Sequence, residues 1–333
     1  MENRRVRIRD IAEELGLSTA TVSNVLHGKT AKISEETVRR VQALLEEREY
    51  IPSMAGILLA QNASRIVGVV INDHEKYESH ALEDPFISSA LNALSAELAQ
   101  NDLFLMVKTA TTPEEIIRFG SMWNLDGLVL IGFCAHDYEH LRSHMRIPFV
   151  VYDGYFEQAG GICNITIDNY SGGFQVGAAF RRDGHRRVLC IADNEICVDK
   201  ERMDGFCDGF AGQADFLCIP MREAERMLFY EQNLDVLKQY SAIFAVSDFY
   251  AIELMRFLAA HGVAVPDEIA VAGFDDTPLC RMVWPELTSV RQDSGARARL
   301  AVQKLRELRE GSEPGTTVRL PVTLIERAST RKA

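Results

Sequence analysis

From Ile66 onward the chain repeats one arrangement: a short unbroken apolar run, a helical stretch, then another apolar run. The runs are 66–71, 104–108, 127–131, 149–152, 164–167, 188–192, 214–218, 242–245 and 269–274. Helical stretches such as 86–100, 172–182, 202–212 and 248–261 separate most of them. A strand without polar alternation is covered on both faces, and that is the condition of a parallel sheet with crossover helices packed on each side. The rhythm fills two blocks of similar size, about 66–166 and 167–290. It therefore predicts two doubly wound parallel-sheet lobes, with a ligand crevice at the carboxyl ends of the strands.

The first 50 residues have a different period. Ile11, Ala12 and Leu15 share one helical face, Gly16 supplies the left-handed stop, and Leu17 turns inward. Ser18 is placed to cap a second helix over 19–27, in which Val22, Val25 and Leu26 face the core and Thr19, Ala20, Ser23 and Asn24 stay outside. Two short helices joined by a glycine-containing turn, the second opening on small polar residues, describe a helix-turn-helix head. Ser34 then caps a third helix with Val38, Val41, Leu44 and Leu45 as its apolar stripe. Pro52 ends that helix, and 51–64 is too short to hold a core, so it reads as a hinge.

Charge follows the same division. The first 60 residues carry nine basic and nine acidic side chains, so the whole net charge of −12 lies in the remainder. Arg4, Arg5, Arg7 and Arg9 crowd the start, which suits a chain that touches phosphate at one end only. That start leads into no apolar run of the kind a secretory signal needs, and no window approaches the ~20 apolar residues of a membrane span. The seven cysteines form no CxxC pair and mostly sit in apolar runs, which predicts reduced thiols and a cytoplasmic protein.

Taken in order, IRDIAEELGLSTATVSNVLHGK, ISEETVRRV, YIPSMAGILL, VPDEIAVAGFDDTPL, PELTSVRQD and LPVTLIERAST resemble the LacI/GalR (lactose-repressor) family from end to end. The resemblance implies an all-α helix-turn-helix head at 1–50, a hinge at 51–64, and a periplasmic-binding-protein-like α/β body at 65–333. Within the body it implies one lobe of about 65–166 plus 290–318 and another of about 167–289 plus 319–330. It implies a sequence-specific repressor that binds a pseudo-palindromic operator as a homodimer under control of a small-molecule effector. Thr19, Ala20 and Asn24 would face base edges, with Arg7, Ser18, Thr21, Ser23, His27 and Ser53 as further DNA contacts. The family most often has Arg where Asn24 stands, so a different half-site is expected. Leu59 would wedge the minor groove at the operator centre. Gly56 and Ile57 weaken the short hinge helix, which is then expected to form only on DNA.

For the effector the resemblance points to Asp84, Phe86, Asp153, Tyr155, Arg202, Asp248 and Asp275. Carboxylates and a guanidinium fork pin ligand hydroxyls, and aromatic faces cover apolar ring surface. Each aspartate could instead cap a following helix, and Phe86 could belong to the core. A sugar is the expected effector, with a nucleobase or nucleoside corepressor as the alternative. The acid-rich set favours a neutral polyol or an amine-bearing molecule over a strongly anionic one. Nothing calls for a cofactor or a metal. The GxGxxG, GxxxxGK[ST], HExxH and GxSxG motifs are absent, which argues against an enzyme. His136, His140 and His144 recur every fourth residue, but the interleaved Arg142 and Arg146 make a solvated helix face the better reading. A ligand-binding protein without operator specificity remains the other reading of the body.

Overall fold

A computed structural model describes residues 6–51, 64–133, 135–156, 161–313, 315 and 317–330. The chain divides into two compact units, Met1–Ser64 and Arg65–Ala333.

The first unit is built on α1 (Ile8–Leu15), α2 (Thr19–Leu26) and α3 (Glu35–Glu47). Gly16 adopts φ 66° and its N–H returns to the carbonyls of Ala12 and Glu13, closing α1 where the sequence demands a left-handed residue. The Ser18 and Ser34 hydroxyls accept from the backbone N–H of Thr21 and Thr37, capping α2 and α3. Ile11, Ala12, Val22, Val25, Val41 and Leu44 form the core. Leu26 is only half-buried and lies outside that cluster, contrary to the helical-face assignment, because it is the last residue of α2.

The second unit holds two six-stranded sheets. The first has the order β11-β5-β4-β3-β1-β2, comprising β1 (Ile66–Asn72), β2 (Phe104–Ala110), β3 (Gly127–Ile131), β4 (Phe149–Tyr152), β5 (Cys163–Ile167) and β11 (Thr317–Leu320), all parallel. The second has the order β12-β10-β9-β8-β6-β7, comprising β6 (Val188–Ala192), β7 (Ala214–Cys218), β8 (Ala242–Ala245), β9 (Ala270–Asp275), β10 (Thr288–Arg291) and β12 (Thr323–Ile325). Its one antiparallel pair is β10 with β12. The helices are α4 (Pro85–Gln100), α5 (Pro113–Trp123), α6 (Ala135–His144), α7 (Asn169–Arg182), α8 (Cys197–Phe210), α9 (Glu223–Gln232), α10 (Leu234–Leu237), α11 (Asp248–Ala260) and α12 (Ser294–Arg309). The central strands β3, β6 and β8 are buried along their whole length, as their uninterrupted apolar sequences require.

The chain passes between lobes three times: after Ile167, after Arg291 and after Leu320. The last two crossings fall at 292 and 321 rather than 290 and 319. Arg291 still pairs with Asp275 in the second sheet, and Leu320 still pairs with Ile167 in the first. Helix α8 begins five residues before the predicted 202, its charged first turn having hidden the start. It ends at Phe210 because Ala211 turns left-handed at φ 50°. The chain's last strands complete both sheets, and Ser329, fully buried, fastens the chain's end to two strands of the second. Its hydroxyl donates to Val271 O at 2.6 Å and accepts from Thr288 N at 2.8 Å.

Candidate functional site

In the head, Thr19, Ala20 and Asn24 are exposed on the first two turns of α2. The Ser18 and Thr21 hydroxyls lie 2.9 Å apart in the cap, so their first task is to hold the start of that helix. Ser23 and His27 are half-buried, and the His27 N–H closes the helix on Ser23 O. Arg7 is exposed just before α1, with its backbone N–H held by the Asp10 carboxylate at 2.8 Å. Small polar groups at an exposed helix start can reach base edges and phosphates. Ser53 and Leu59 lie outside the described residues.

In the body, the strand exits of both sheets converge. Asp153 follows β4 at φ 55°, while Asp275 ends β9 at φ 114° and is followed by Asp276 at φ 50°. Left-handed aspartates at strand exits are strained conformations of the sort that persist where the surroundings over-determine them. From the first lobe, Thr166 Oγ1 donates to Asp153 Oδ1 at 3.1 Å, and Arg297 Nη2 meets the same carboxylate at 2.5 Å. Arg297 Nη1 donates to Gln292 Oε1 at 3.1 Å, and Gln292 Nε2 donates to Asp275 Oδ1 at 2.7 Å. The run Thr166–Asp153–Arg297–Gln292–Asp275 thus ties the exits of β5 and β4 to that of β9.

Arg202 enters from the second lobe. Its Nε donates to Asn169 Oδ1 at 2.9 Å, its Nη1 donates to Val246 O at 2.6 Å, and its guanidinium carbon lies 3.8 Å from the Phe274 ring centroid. This placement depends on an unusually close approach of α7 and α8. A Cβ on Gly173 would stand 1.9 Å from Arg202 O, and one on Gly205 would stand 2.0 Å from Tyr170 O. Only glycine permits two helix backbones to approach so near. Asp84 caps α4 by accepting from Phe86 and Ile87 N–H, and the Phe86 ring lies 5.9 Å from the Arg297 guanidinium.

Burial pushes the carboxyls of Asp84, Asp199 and Asp275 above their ordinary range. For Asp275 the Arg202 charge opposes that rise, while Asp248, Asp84 and Asp153 add to it. Asp84, Asp153, Arg202 and Asp248 therefore all lie near enough to Asp275 for their charges to act on it. Among the described residues the buried polar atoms without a partner are Asp73 Oδ1, Tyr152 OH, Tyr230 OH and Arg297 Nε. Of these Tyr152 and Arg297 belong to this cluster, the Arg297 guanidinium lying 4.3 Å from the Tyr152 ring and meeting Asp153. Groups of that kind are normally satisfied by water or a ligand.

Two expected residues differ from these. Asp248 acts on Asp275 by its charge but is itself fully buried and exposes no atom to a ligand. Its Oδ2 accepts from Thr277 N at 2.7 Å and Cys280 Sγ at 3.0 Å, and its Oδ1 accepts from Ser289 Oγ at 2.5 Å. The carboxylate points inward and fastens α11 to the β9–β10 connection. Tyr155 is exposed and lies near Lys200 of α8. The sequence reading also missed Lys76, Asp193, Asp199, Gln292 and Arg297. Asp193 was findable, since it follows the apolar run of β6 as Asp153 follows β4. Arg297 opens the buried stripe of α12 that Ala298, Ala301, Val302 and Leu305 continue, and an arginine in such a stripe needs an acid nearby. Lys76 gave no signal, since HEKYESH looks like any solvated loop.

A hollow of about 300 Å³ between the ends of α5 and α6, lined by Ser121, Asn124, His144 and Arg146 among others, lies at the amino ends of the strands. It is unconnected with this chemistry. On α6 the His140 and His144 rings stack at 4.2 Å, and among the described residues no cluster of three metal-ligating side chains occurs.

Residues 7–53 match the model of the bacterial regulatory proteins of the lacI family, and residues 178–330 match that of the periplasmic binding protein-like domain. The chain belongs to the LacI family. Relatives extend over the whole length. The HTH-type transcriptional repressor CytR of Escherichia coli strain K12 is 25% identical, covering 97% of this chain and 96% of its own. The HTH-type transcriptional repressor PurR of Actinobacillus pleuropneumoniae serotype 3 is 27% identical, covering 95% and 94%. Among solved structures, the Lac repressor dimer bound to operator and the anti-inducer ONPF superposes with a TM-score of 0.81 at 23% identity, covering 98% of this chain and 99% of that one. A complex of the regulator CelR with cellobiose gives 0.69 at 22% identity, covering 98% and 100%. This LacI-family chain is accordingly a DNA-binding transcriptional repressor carrying a ligand-binding body, and members of its family are regulators rather than enzymes. No helix among the described residues is long and apolar enough to cross a membrane.

Proposed function

We propose that this LacI-family protein represses transcription as a cytoplasmic homodimer on a pseudo-palindromic operator, and that a neutral sugar held between its lobes sets operator affinity. The observation that carries the reading is the pair of strand-exit carboxylates Asp153 and Asp275, bridged by Arg297 and Gln292, with the Asp84 cap of α4 and Arg202 of α8 acting on the same Asp275. Their mixture of acceptors and fixed donors suits hydroxyls, which both give and take hydrogen bonds. The surplus of acid opposes a strongly anionic ligand. The head, 1–50, reads base edges through Thr19, Ala20 and Asn24. Arg7, Ser18, Thr21, Ser23 and His27 support it on the backbone, and Ser53 and Leu59 of the 51–64 hinge engage the operator centre.

Pairing is assigned to the exposed apolar side chains Met282 and Trp284 of the second lobe and to Phe104, Met122 and Trp123 of the first. Single exposed hydrophobes are ordinary, but a tryptophan 89% exposed beside a methionine 77% exposed is suited to a self-complementary interface. The test is a thermal-shift screen of the full chain against monosaccharides, disaccharides, nucleosides and nucleobases, followed by operator titration with each hit. A sugar that raises the melting temperature and changes operator affinity supports the proposal. Response to nucleosides or nucleobases alone would replace the sugar with the ligand class of the alternative reading.

A further inference from the structure

Between β1 and α4, residues 73–84 form a strap that leaves the first lobe and returns to it. It is tied down where it leaves by Asp73 N on Ala110 O at 3.0 Å, and where it returns by the Asp84 cap of α4. Midway it reaches the second lobe: Arg222 Nε meets Glu75 Oε1 at 2.9 Å, and Glu223 N donates to Glu78 Oε2 at 3.4 Å. Glu78 and Ser79 are both left-handed, at φ 46° and 68°, and they make the turn that sends the strap back.

Between these anchors Lys76 holds its ammonium 5.0 Å from the Tyr77 ring centroid, close enough to Asp193 and Asp199 of the second lobe and Asp84 of the first for their charges to act on it. No carboxylate among the described residues pairs with it directly. Tyr250 OH donates to Asp193 Oδ2 at 2.8 Å, and Asn194 Nδ2 fixes Asp193 Oδ1 and Asp199 Oδ2 at 2.6 and 2.9 Å, so both carboxylates are held in place. A cationic donor thus stands near acceptors that are held in place. A carbonyl can serve only the donor and an ammonium can serve only the acceptors, whereas a hydroxyl serves both.

We propose that the strap is a wall of the effector site in which Lys76 and the Asp193–Asp199 pair grip one ligand hydroxyl, while the Glu75–Arg222 tie holds the wall against the second lobe. The inference rests on the sugar reading above and extends it to a residue that selects for hydroxyls. The strap grips only when both lobes are in place, so ligand affinity and the tie are linked.

The experiment is calorimetric titration of full-length protein with D-ribose, D-xylulose and cellobiose, on wild type, Lys76→Met, Lys76→Gln, Glu75→Arg and the reversed pair Glu75→Arg/Arg222→Glu. Hydrogen exchange of 74–80 is followed alongside. A sugar that binds wild type is expected to bind both Lys76 variants at least about tenfold more weakly, the scale of one charge-assisted hydrogen bond. Glu75→Arg alone should speed exchange in 74–80 and weaken binding, and the reversed pair should restore both. Circular dichroism checks folding, and Lys76→Gln decides the matter if Lys76→Met fails to fold. Binding within about twofold of wild type in a folded Lys76 variant overturns the inference and leaves the sugar reading standing. If none of the three sugars binds wild type, the sugar reading fails for these probes and this inference fails with it.

Discussion

Asn24 and Asp248 show how differently two polar residues of similar size are used. Asn24 is exposed on the second turn of α2, where the amide has nothing to satisfy but a partner from outside. Replacing it by Arg supplies a fork suited to guanine O6 and N7, so the base preferred at one position of each half-site should change. Selection from a random duplex pool is the check, and an unaltered consensus would remove Asn24 from the reading surface. Asp248 is turned wholly inward, and burial drives it up to about 6 despite hydrogen bonds from Ser289, Cys280 and Thr277. A carboxyl raised on folding contributes stability that is complete below its unfolded pKa, near 4, and is lost as pH climbs through 6. Urea melts of wild type and Asp248→Asn across pH 4 to 7 should therefore show the wild type losing up to about 3 kcal/mol relative to the variant. A constant gap would mean the carboxyl titrates normally.

At the scale of elements, the pairing of α7 with α8 governs where Arg202 can reach. Gly173 and Gly177 on one helix meet Gly205 and Gly209 on the other, and any Cβ there would lie within about 2.2 Å of the neighbouring backbone. Gly205→Ala is expected to cost about 1–3 kcal/mol or more, because backbone cannot move aside as a side-chain tip can. Gly295→Ala, whose Cβ would meet no backbone but only the Asp293 cap oxygen at 3.3 Å and the Arg299 guanidinium at 3.4 Å, should cost far less. Denaturant midpoints decide between them. The glycine spacing was present in the sequence, but as a pattern it could not say which helix it faced. The strands and most helices were readable because continuous apolar runs leave little freedom in a doubly wound sheet. The lobe crossings were misjudged by two residues because β10 and β11 are edge-proximal strands of four residues, too short for a period to declare itself. Asp153, Arg202 and Asp275 were recoverable from their motifs. Lys76 was not, since its neighbours on the opposite lobe lie more than 100 positions away in the chain.

For the whole molecule, the proposed control works only if effector and operator are linked through the dimer. Such coupling is typically about 1–3 kcal/mol and acts equally in both directions. Trp284→Asp places a charge in the middle of the exposed second-lobe patch. Sedimentation should then report a monomer whose specific operator affinity falls by about two orders of magnitude or more while weak general DNA binding persists. A variant that stays dimeric would assign pairing to another face.

The buried Ser329 stitch carries a consequence for synthesis. Neither sheet has its full complement of strands until residues 317–330 have left the ribosome, whereas the core of α1, α2 and α3 draws on nothing beyond Tyr50. During translation a head able to fold thus precedes the body that is to govern it. Until the tail docks, each nascent chain carries a DNA reader without its regulator.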